Sequence, residues 1–420
     1  MTAALRSIIT PTAILRLVLG WGVFIALQFM GSLLAPPVPL PLLVTALIVI
    51  IAVILICAFG VVTEAEHLAN RLGDPYGSLV LTISICLIEV ILIAAVLLGP
   101  GDHATIARDS VMAVSMIILG AVVGLCLLVG GLRHGALTHN RTGVSNYLVM
   151  IVVFAALAFA VPALIGTPDG AYEIWQEIPI IVVTVGAYAF FLYRQMGPQA
   201  HEFTEAAPVG VATAGASSST ETTCPSLTEA ADQAELRRPQ EAGQSESRRP
   251  EAADLAGDES QGIVAIISTH RVEIAVRLTL LVATVLPIVL LSHDMASLLD
   301  DGLGRLGAPV ALSGVVIAMI VFLPETLTSL RAAWNGEIQR VSNLCHGAQV
   351  STVGLTIPTV LVIGMLTDQP IVLAESPINL ALLAITLLVS IIAFAGRRVT
   401  AVHGIALLVV FAVFGLALFA

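Results

Sequence analysis

Runs of apolar residues, each ended by a short polar or Gly/Pro-containing stretch, recur along nearly the whole chain. A helix that crosses a bilayer needs about 20 consecutive apolar residues, and these runs reach that length. A membrane β-barrel would instead show short segments of alternating polarity. The pattern predicts about 11 transmembrane helices, near 12–34, 41–62, 78–99, 110–131, 146–165, 178–194, 272–292, 309–331, 341–364, 378–395 and 401–419. The expected fold class is therefore an all-α polytopic membrane protein. One stretch breaks the rhythm. Residues 195–270 are rich in Ala, Ser, Thr, Glu, Gln and Pro and hold few large apolar residues. Such a segment buries too little surface to offset its ordering entropy, so a disordered linker is expected. It divides the chain into an N-terminal membrane half (1–194), a linker (195–270) and a C-terminal membrane half (271–420).

Composition agrees. Of 420 residues 57% are apolar and 11% charged, where a soluble chain carries about a quarter charged residues. The net charge of −11 is concentrated, because 201–262 holds 12 Asp or Glu against 4 Arg. That leaves no support for a nucleic-acid partner. The five cysteines show no CxxC spacing, which argues against a disulfide framework or a zinc site. The first apolar run is long and lacks a small-residue cleavage site, so it reads as a first membrane helix.

All 18 basic residues are arginine, and their placement sets an orientation. With loops numbered alternately from the N-terminus, 16 arginines fall on one side, and only Arg108 and Arg305 on the other. The positive-inside rule then places the N-terminus and the linker in the cytoplasm and the C-terminus outside.

The two halves resemble each other. "RLGDPYG" (71–77) precedes the third span and "RLGAPVA" (305–311) precedes the eighth; each leads into an apolar helix with a single glutamate, Glu89 and Glu325. The span count makes these helices run in opposite directions. Similar segments of opposite direction predict two inverted-topology repeats, preceded by an extra first helix. Transporters hold their ion site near the midplane where such repeats meet.

A carboxylate in mid-membrane is costly and must be protonated, paired or bound to a cation. Glu89 lies at the centre of its span in "LTISICLIEVILI" (81–93), with Thr82 on the same helical face. The alternative is a neutral glutamic acid bonded to a neighbouring helix. Glu325 lies in "FLPETLTSL" (322–330). Pro324 has no N–H to give the carbonyl of Ile320, and a freed carbonyl beside a carboxylate is a ligand pair suited to a hard cation. The alternative is an ordinary proline kink with Glu325 snorkelling to the membrane surface. In the ninth span Ser342, His346, Gln349, Thr352 and Thr356 fall within about 120° of one face. That stripe either lines a pathway or holds helices together, and His346 reads as a proton relay or as a satisfied core histidine. Gly120 and Gly124 form a GxxxG packing face. Glu64, Glu66, His67, Arg71 and Asp74 read as a solvated rim or as a vestibule that attracts cations. No nucleotide loop, nucleophile elbow or HExxH motif is present, so an enzyme is not expected and no cofactor is implied.

The stretches 68–94 and 322–358, supported by 107–131, resemble the calcium/cation antiporter superfamily, and most closely its bacterial calcium(sodium, potassium)/proton antiporter branch. The resemblance covers nearly the whole chain. It implies two α-repeats, each giving one glutamate to a central cation- and proton-binding site, and Glu89 and Glu325 fall on those positions. Thr82, Ser84 and Ser351 fall near positions where relatives place polar ligands or gating residues. Many relatives carry Gly-Asn shortly before each glutamate; here those places hold Ile85-Cys86 and Val321-Phe322.

The expected function is export of Ca2+ in exchange for H+ by competition at the glutamate pair, in a bacterial inner membrane. An Na+ or K+/proton antiporter using the same site is the alternative. An uncoupled cation channel, or a membrane sensor working through the linker, are rivals of other classes. The implied partners are inorganic cations, protons and the lipid bilayer, with a homo-oligomer left open.

Overall fold

The computed structural model describes residues 10–31, 33–34, 38–72, 90, 93–94, 97, 104–197, 200–203, 252–307 and 311–419. The side chains of 66, 69–72, 106, 200, 201, 252–270, 311, 313 and 321 are excepted. In chain order the helices are α1 (Pro11–Phe29), α2 (Leu40–Leu72), α3 (Ile106–Met116), α4 (Val123–His134), α5 (Arg141–Ala155), α6 (Val161–Ile165) and α7 (Ile174–Met196). They continue as α8 (Ala252–Arg305), α9 (Ala311–Val321), α10 (Leu323–Asn335), α11 (Ile338–Thr367), α12 (Pro377–Ala395) and α13 (Ala401–Ala417). Single π-helical turns join α3 to α4 (Ile117–Val122) and α5 to α6 (Ala156–Ala160).

Among the described residues, 8 helices are long and apolar enough to cross a membrane. They match the first, second, fourth to seventh, ninth and tenth expected spans. The eighth is a bent pair, Gly314–Ile320 with Leu323–Asn335, turned by 54°. The eleventh is the shorter apolar helix Ala401–Ala417. Most of the third lies outside the described residues, as do 73–77 and 308–310 of the two matching Gly/Pro stretches that introduced the repeat.

The ends of the expected linker carry structure. Residues Ala200–Phe203 form a 3-10 turn, with Phe203 buried among aromatic rings, and α8 begins at Ala252. The physical reasons differ at the two ends. Phe203 is a large apolar residue with a packing partner, and Ala- and Leu-bearing sequence before Arg271 extends a helix at little cost.

The described helices bury two large cores and a small cluster of Ala13 and Leu280 between α1 and α8. One joins α1, α2 and α8 through residues such as Leu27, Ile50, Ile54, Cys57, Ile288 and Met295. Trp21 Nε1 donates to the Ala283 carbonyl at 3.1 Å, and the buried Glu64–Arg277 pair closes at 2.8 Å. The larger core joins α3 to α7 with α10 to α13. There the expected glycine face is used: a Cβ on Gly404 would lie 2.5 Å from the carbonyl oxygen of Gly124, and one on Gly120 would lie 3.1 Å from Phe411. Small residues allow this backbone approach between membrane helices. Helix α9 touches both bodies. Val315 and Ala318 enter the larger core, while Val316, Ile317 and Ile320 pack on the smaller one.

Two loop pairings follow the pattern that an inverted repeat would give. Strand β1 (Leu137–Thr138), after the fourth span, pairs antiparallel with β2 (Arg398–Val399), after the tenth. On the other side Ala171, after the fifth span, bridges Val372, after the ninth. Exchanging the halves, fourth for ninth and fifth for tenth, turns one pairing into the other. Both pairings also join loops that the arginine pattern assigns to the same side.

Candidate functional site

The break between α9 and α10 follows from Pro324. It offers no N–H to the preceding turn, and it sits in the first turn of α10, where the missing donor is not needed. Phe322 caps that helix and Glu325 is the acidic residue of its first turn. The positive end of a helix dipole favours a carboxylate there. Two threonines bond back onto the preceding turn: Thr326 Oγ1 donates to the Phe322 carbonyl at 2.8 Å and Thr328 Oγ1 to that of Pro324 at 2.9 Å.

Glu325 lines a narrow pocket with Phe322, Thr326 and Ser329 of the break, Leu344, Cys345 and Ala348 of α11, and Ile118 and Val122 of the π turn. Its Oε2 is buried and has no hydrogen-bond partner among the described residues. The thiol of Cys345 donates to Ser329 Oγ at 3.5 Å. Extra-wide turns of this kind often stand at functional sites; here one forms a wall. Glu89, Thr82 and Ser84 lie outside the described residues. Ile320, one turn before Pro324, is half-buried against the smaller core.

The polar stripe of α11 is wholly internal. Ser342, His346, Gln349, Thr352 and Thr356 are all buried. Ser342 Oγ and His346 Nδ1 share a hydrogen bond of 2.8 Å, and Gln349 Nε2 donates to Ser115 Oγ of α3 at 2.6 Å. Tyr188 of α7 donates to Ser351 Oγ at 3.0 Å. Three stripe atoms, His346 Nε2, Gln349 Oε1 and Thr356 Oγ1, are buried without a partner among the described residues. His346 and Ser351 are not among the walls of the Glu325 pocket. His346 faces Tyr147 and Phe394, with ring centroids at 6.4 and 5.2 Å.

The rim residues part company. Glu64 is buried and held by Arg277, which also takes Glu273 at 3.3 Å, so it belongs to a structural pair. His67 is exposed. The side chains of Glu66 and Arg71, and the whole of Asp74, lie outside the described residues. On the opposite side Arg108 joins Asp109 at 2.8 Å and Glu375 at 3.3 Å. Outside the spans, burial holds His139 below the ordinary histidine value; the bond from its Nε2 to the Phe394 carbonyl, 3.0 Å, works the other way, and the nearby Arg141 charge adds to the lowering. Among the described residues no three His, Cys, Asp or Glu side chains come together as a metal cluster.

Sequence reasoning missed Ser115, Ile118, Val122 and Cys345. Cys345 flanks His346, which it had singled out, and Ser329 shares the helical face of Glu325, as its spacing predicts. Nothing in a run of Ile, Leu, Gly and Val announces a π turn, and Ser115 is one serine in an apolar helix.

The family model for the sodium/calcium exchanger protein matches residues 42–197 and 262–420, two blocks on either side of the acidic linker. The chain belongs to the sodium/calcium exchanger protein family. Within the wider calcium/cation antiporter superfamily, it is 27% identical over 382 residues to the sodium-potassium/proton antiporter ChaA of Escherichia coli (strain K12), covering 91% of this chain and 90% of that protein. It is 30% identical over 359 residues to the putative ionic transporter y4hA of Sinorhizobium fredii, covering 85% and 83%. The exchanger fold is shared with the H+/Ca2+ exchanger CAX, at TM-score 0.61 and 12% identity, covering 97% of this chain and 89% of that one. It is shared also with the Ca2+/H+ antiporter protein YfkE in its selenium-substituted crystal, at TM-score 0.59 and 13% identity, covering 96% and 99%. The chain is thus a multi-pass membrane protein of a family of ion transporters, in keeping with its apolar helices.

Proposed function

We propose that the chain is a secondary active cation/proton antiporter in which Glu325, with Glu89, holds protons and a cation in turn. One observation carries this reading: Glu325 Oε2 is buried without a partner among the described residues, in the first turn of the helix that follows the break in the eighth apolar span. An ionised carboxylate in that place needs a proton or a cation. Two glutamic acids that release two protons to take one Ca2+ leave the charge of the site unchanged, so Ca2+ is the first cation assigned. Inward proton movement then drives cation export, with the N-terminus and the linker in the cytoplasm of a bacterial inner membrane. Alternating access comes from movement of the repeats about the site.

A second reading, exchange of Na+ or K+ for protons at the same residues, has its own support. The Escherichia coli relative, aligned over most of the chain, is a sodium-potassium/proton antiporter. Ca2+ also prefers about six to eight oxygen ligands, and Ile85-Cys86 and Val321-Phe322 offer no side-chain oxygen. The deciding measurement is proton flux in inside-out vesicles on adding Ca2+, Na+ or K+ in turn. The cation that releases protons is the substrate. Glu325→Gln must abolish that response while the protein still reaches the membrane; a Glu325→Gln variant with normal flux sinks the scheme for every cation.

A further inference from the structure

The start of the linker does not simply leave the membrane. Ala200–Phe203 folds back onto the ends of α5, α7 and α11. Phe203 is buried and meets Tyr147 edge-on at 5.1 Å and Phe191 at 6.2 Å. Its carbonyl accepts from Asn343 Nδ2 at 2.6 Å. Asn343 Oδ1 accepts from Gln339 Nε2 at 3.0 Å, and Gln339 Oε1 accepts from the backbone N–H of Asn140 at 2.8 Å. Asn146 Nδ2 donates to Glu202 Oε2 at 3.1 Å. The seat is shaped closely. A Cβ at Gly143 would collide with the Glu202 carbonyl, so a side chain there and the docked turn exclude each other.

What lies beneath the seat gives it a use. Phe203 covers Tyr147, Tyr147 covers His346, and His346 is bonded to Ser342 at the linker-side end of the α11 stripe. Ser342 and His346 are each 0% exposed, and the imidazole Nε2 has no partner among the described residues. A buried polar group left unpaired would gain by meeting water.

We infer that Ala200–Phe203 is a built-in plug: a surface on α5, α7 and α11 takes the first turn of the linker and seals the end of the polar stripe from water. The seat recognises one aromatic side chain and the carbonyl that follows it. The inference rests on the antiport reading only in so far as the stripe borders the ion path; the seal itself is a property of the fold. Whatever pulls on the linker then opens or closes that end of the stripe.

The experiment measures access. Ser342→Cys in the full chain, in inside-out vesicles, is labelled with a membrane-impermeant thiol reagent, and modification is read by mass on the peptide that follows Arg340. The protein with serine at 342 supplies the background from Cys345. Adding Phe203→Ala or Gly143→Ala should each speed labelling of position 342 at least tenfold. Asn146→Ala, which removes only the bond to Glu202, should speed it by a smaller factor. Unchanged labelling in the Phe203→Ala and Gly143→Ala proteins overturns the plug, as does fast labelling with the turn intact. Should Phe203→Ala fail to accumulate, Gly143→Ala, which leaves every linker side chain in place, decides alone. Cation-driven proton flux in the same vesicles tests the antiport reading separately: its absence removes that reading and leaves the labelling result standing.

Discussion

Gln349 Nε2 donates to Ser115 Oγ at 2.6 Å, and Ser115 in turn donates to the Val111 carbonyl at 2.7 Å. The bond ties α11 to α3 across the two halves of the chain, with both residues buried. Ser115→Ala leaves a buried amide without its acceptor, a loss of about 1–3 kcal/mol. The expected result is a lower melting temperature in detergent, with the Gln349→Leu, Ser115→Ala double variant closer to wild type than the single one. A double-variant loss equal to the sum of the two single-variant losses would show that the pair is not coupled.

Pro324 makes the bend on which Glu325 sits. Pro324→Ala restores an N–H for the carbonyl of Ile320 and favours one continuous helix. The protein should be at least as stable as before, because an unbroken helix gains a hydrogen bond of about 1 kcal/mol. Its exchange rate should fall tenfold or more, since the carboxylate turns away from Cys345 and the π turn. Vesicle flux and thermal melting measured together check both halves of this expectation.

Glu64 and Arg277 pair at 2.8 Å with each side chain about 10% exposed. Removing one partner strands a buried charge, and Arg277→Met should cost about 3–5 kcal/mol. Replacing both by Met should recover most of that loss, because two buried charges and their desolvation disappear together. A double variant as unstable as the single one argues that Glu273 or the site itself needs the guanidinium.

Gly404 and Gly124 let α13 and α4 touch along their backbones. Gly404→Val forces them apart and should destabilise by about 1–3 kcal/mol as overpacking does. Gly415→Val, whose Cβ would meet nothing within 4 Å, should be nearly neutral. Yield of folded protein from membranes separates the two.

His139 is buried near the β1–β2 pair, with its charged form disfavoured. Its folded value lies below the unfolded one, so its neutral form favours folding above an ordinary histidine value near 6.5. That contribution is lost as pH falls below this value, because only the unfolded chain takes up the proton freely. Melting temperature should drop from pH 7.5 to 5.5, and drop less in His139→Gln. A slope unchanged by that substitution assigns the pH effect to other groups.

Much of this protein was legible in order of hydrophobicity alone. Helices in lipid must be long and apolar because their backbone has no other hydrogen-bond partner, so nearly every described span lies where the apolar runs put it. Glu325 stood out for the same reason: a carboxylate is rare where water is absent. The small residues of 120–124 and the buried stripe of α11 were also readable, since helical periodicity puts them on single faces. Other features needed the fold. Whether Glu64 was rim or buried pair depended on Arg277, more than 200 residues away. Ser115 joined the polar stripe through Gln349 of the opposite half, and Ile118 and Val122 joined the Glu325 pocket through a π turn that apolar sequence does not mark. The docking of Phe203 was hidden by the composition around it, because a single aromatic residue in a polar tract gains its meaning only from the rings of α5 and α7 that close over it. Local periodicity decides which face of a helix is apolar; which helix meets that face is decided by contacts between distant parts of the chain.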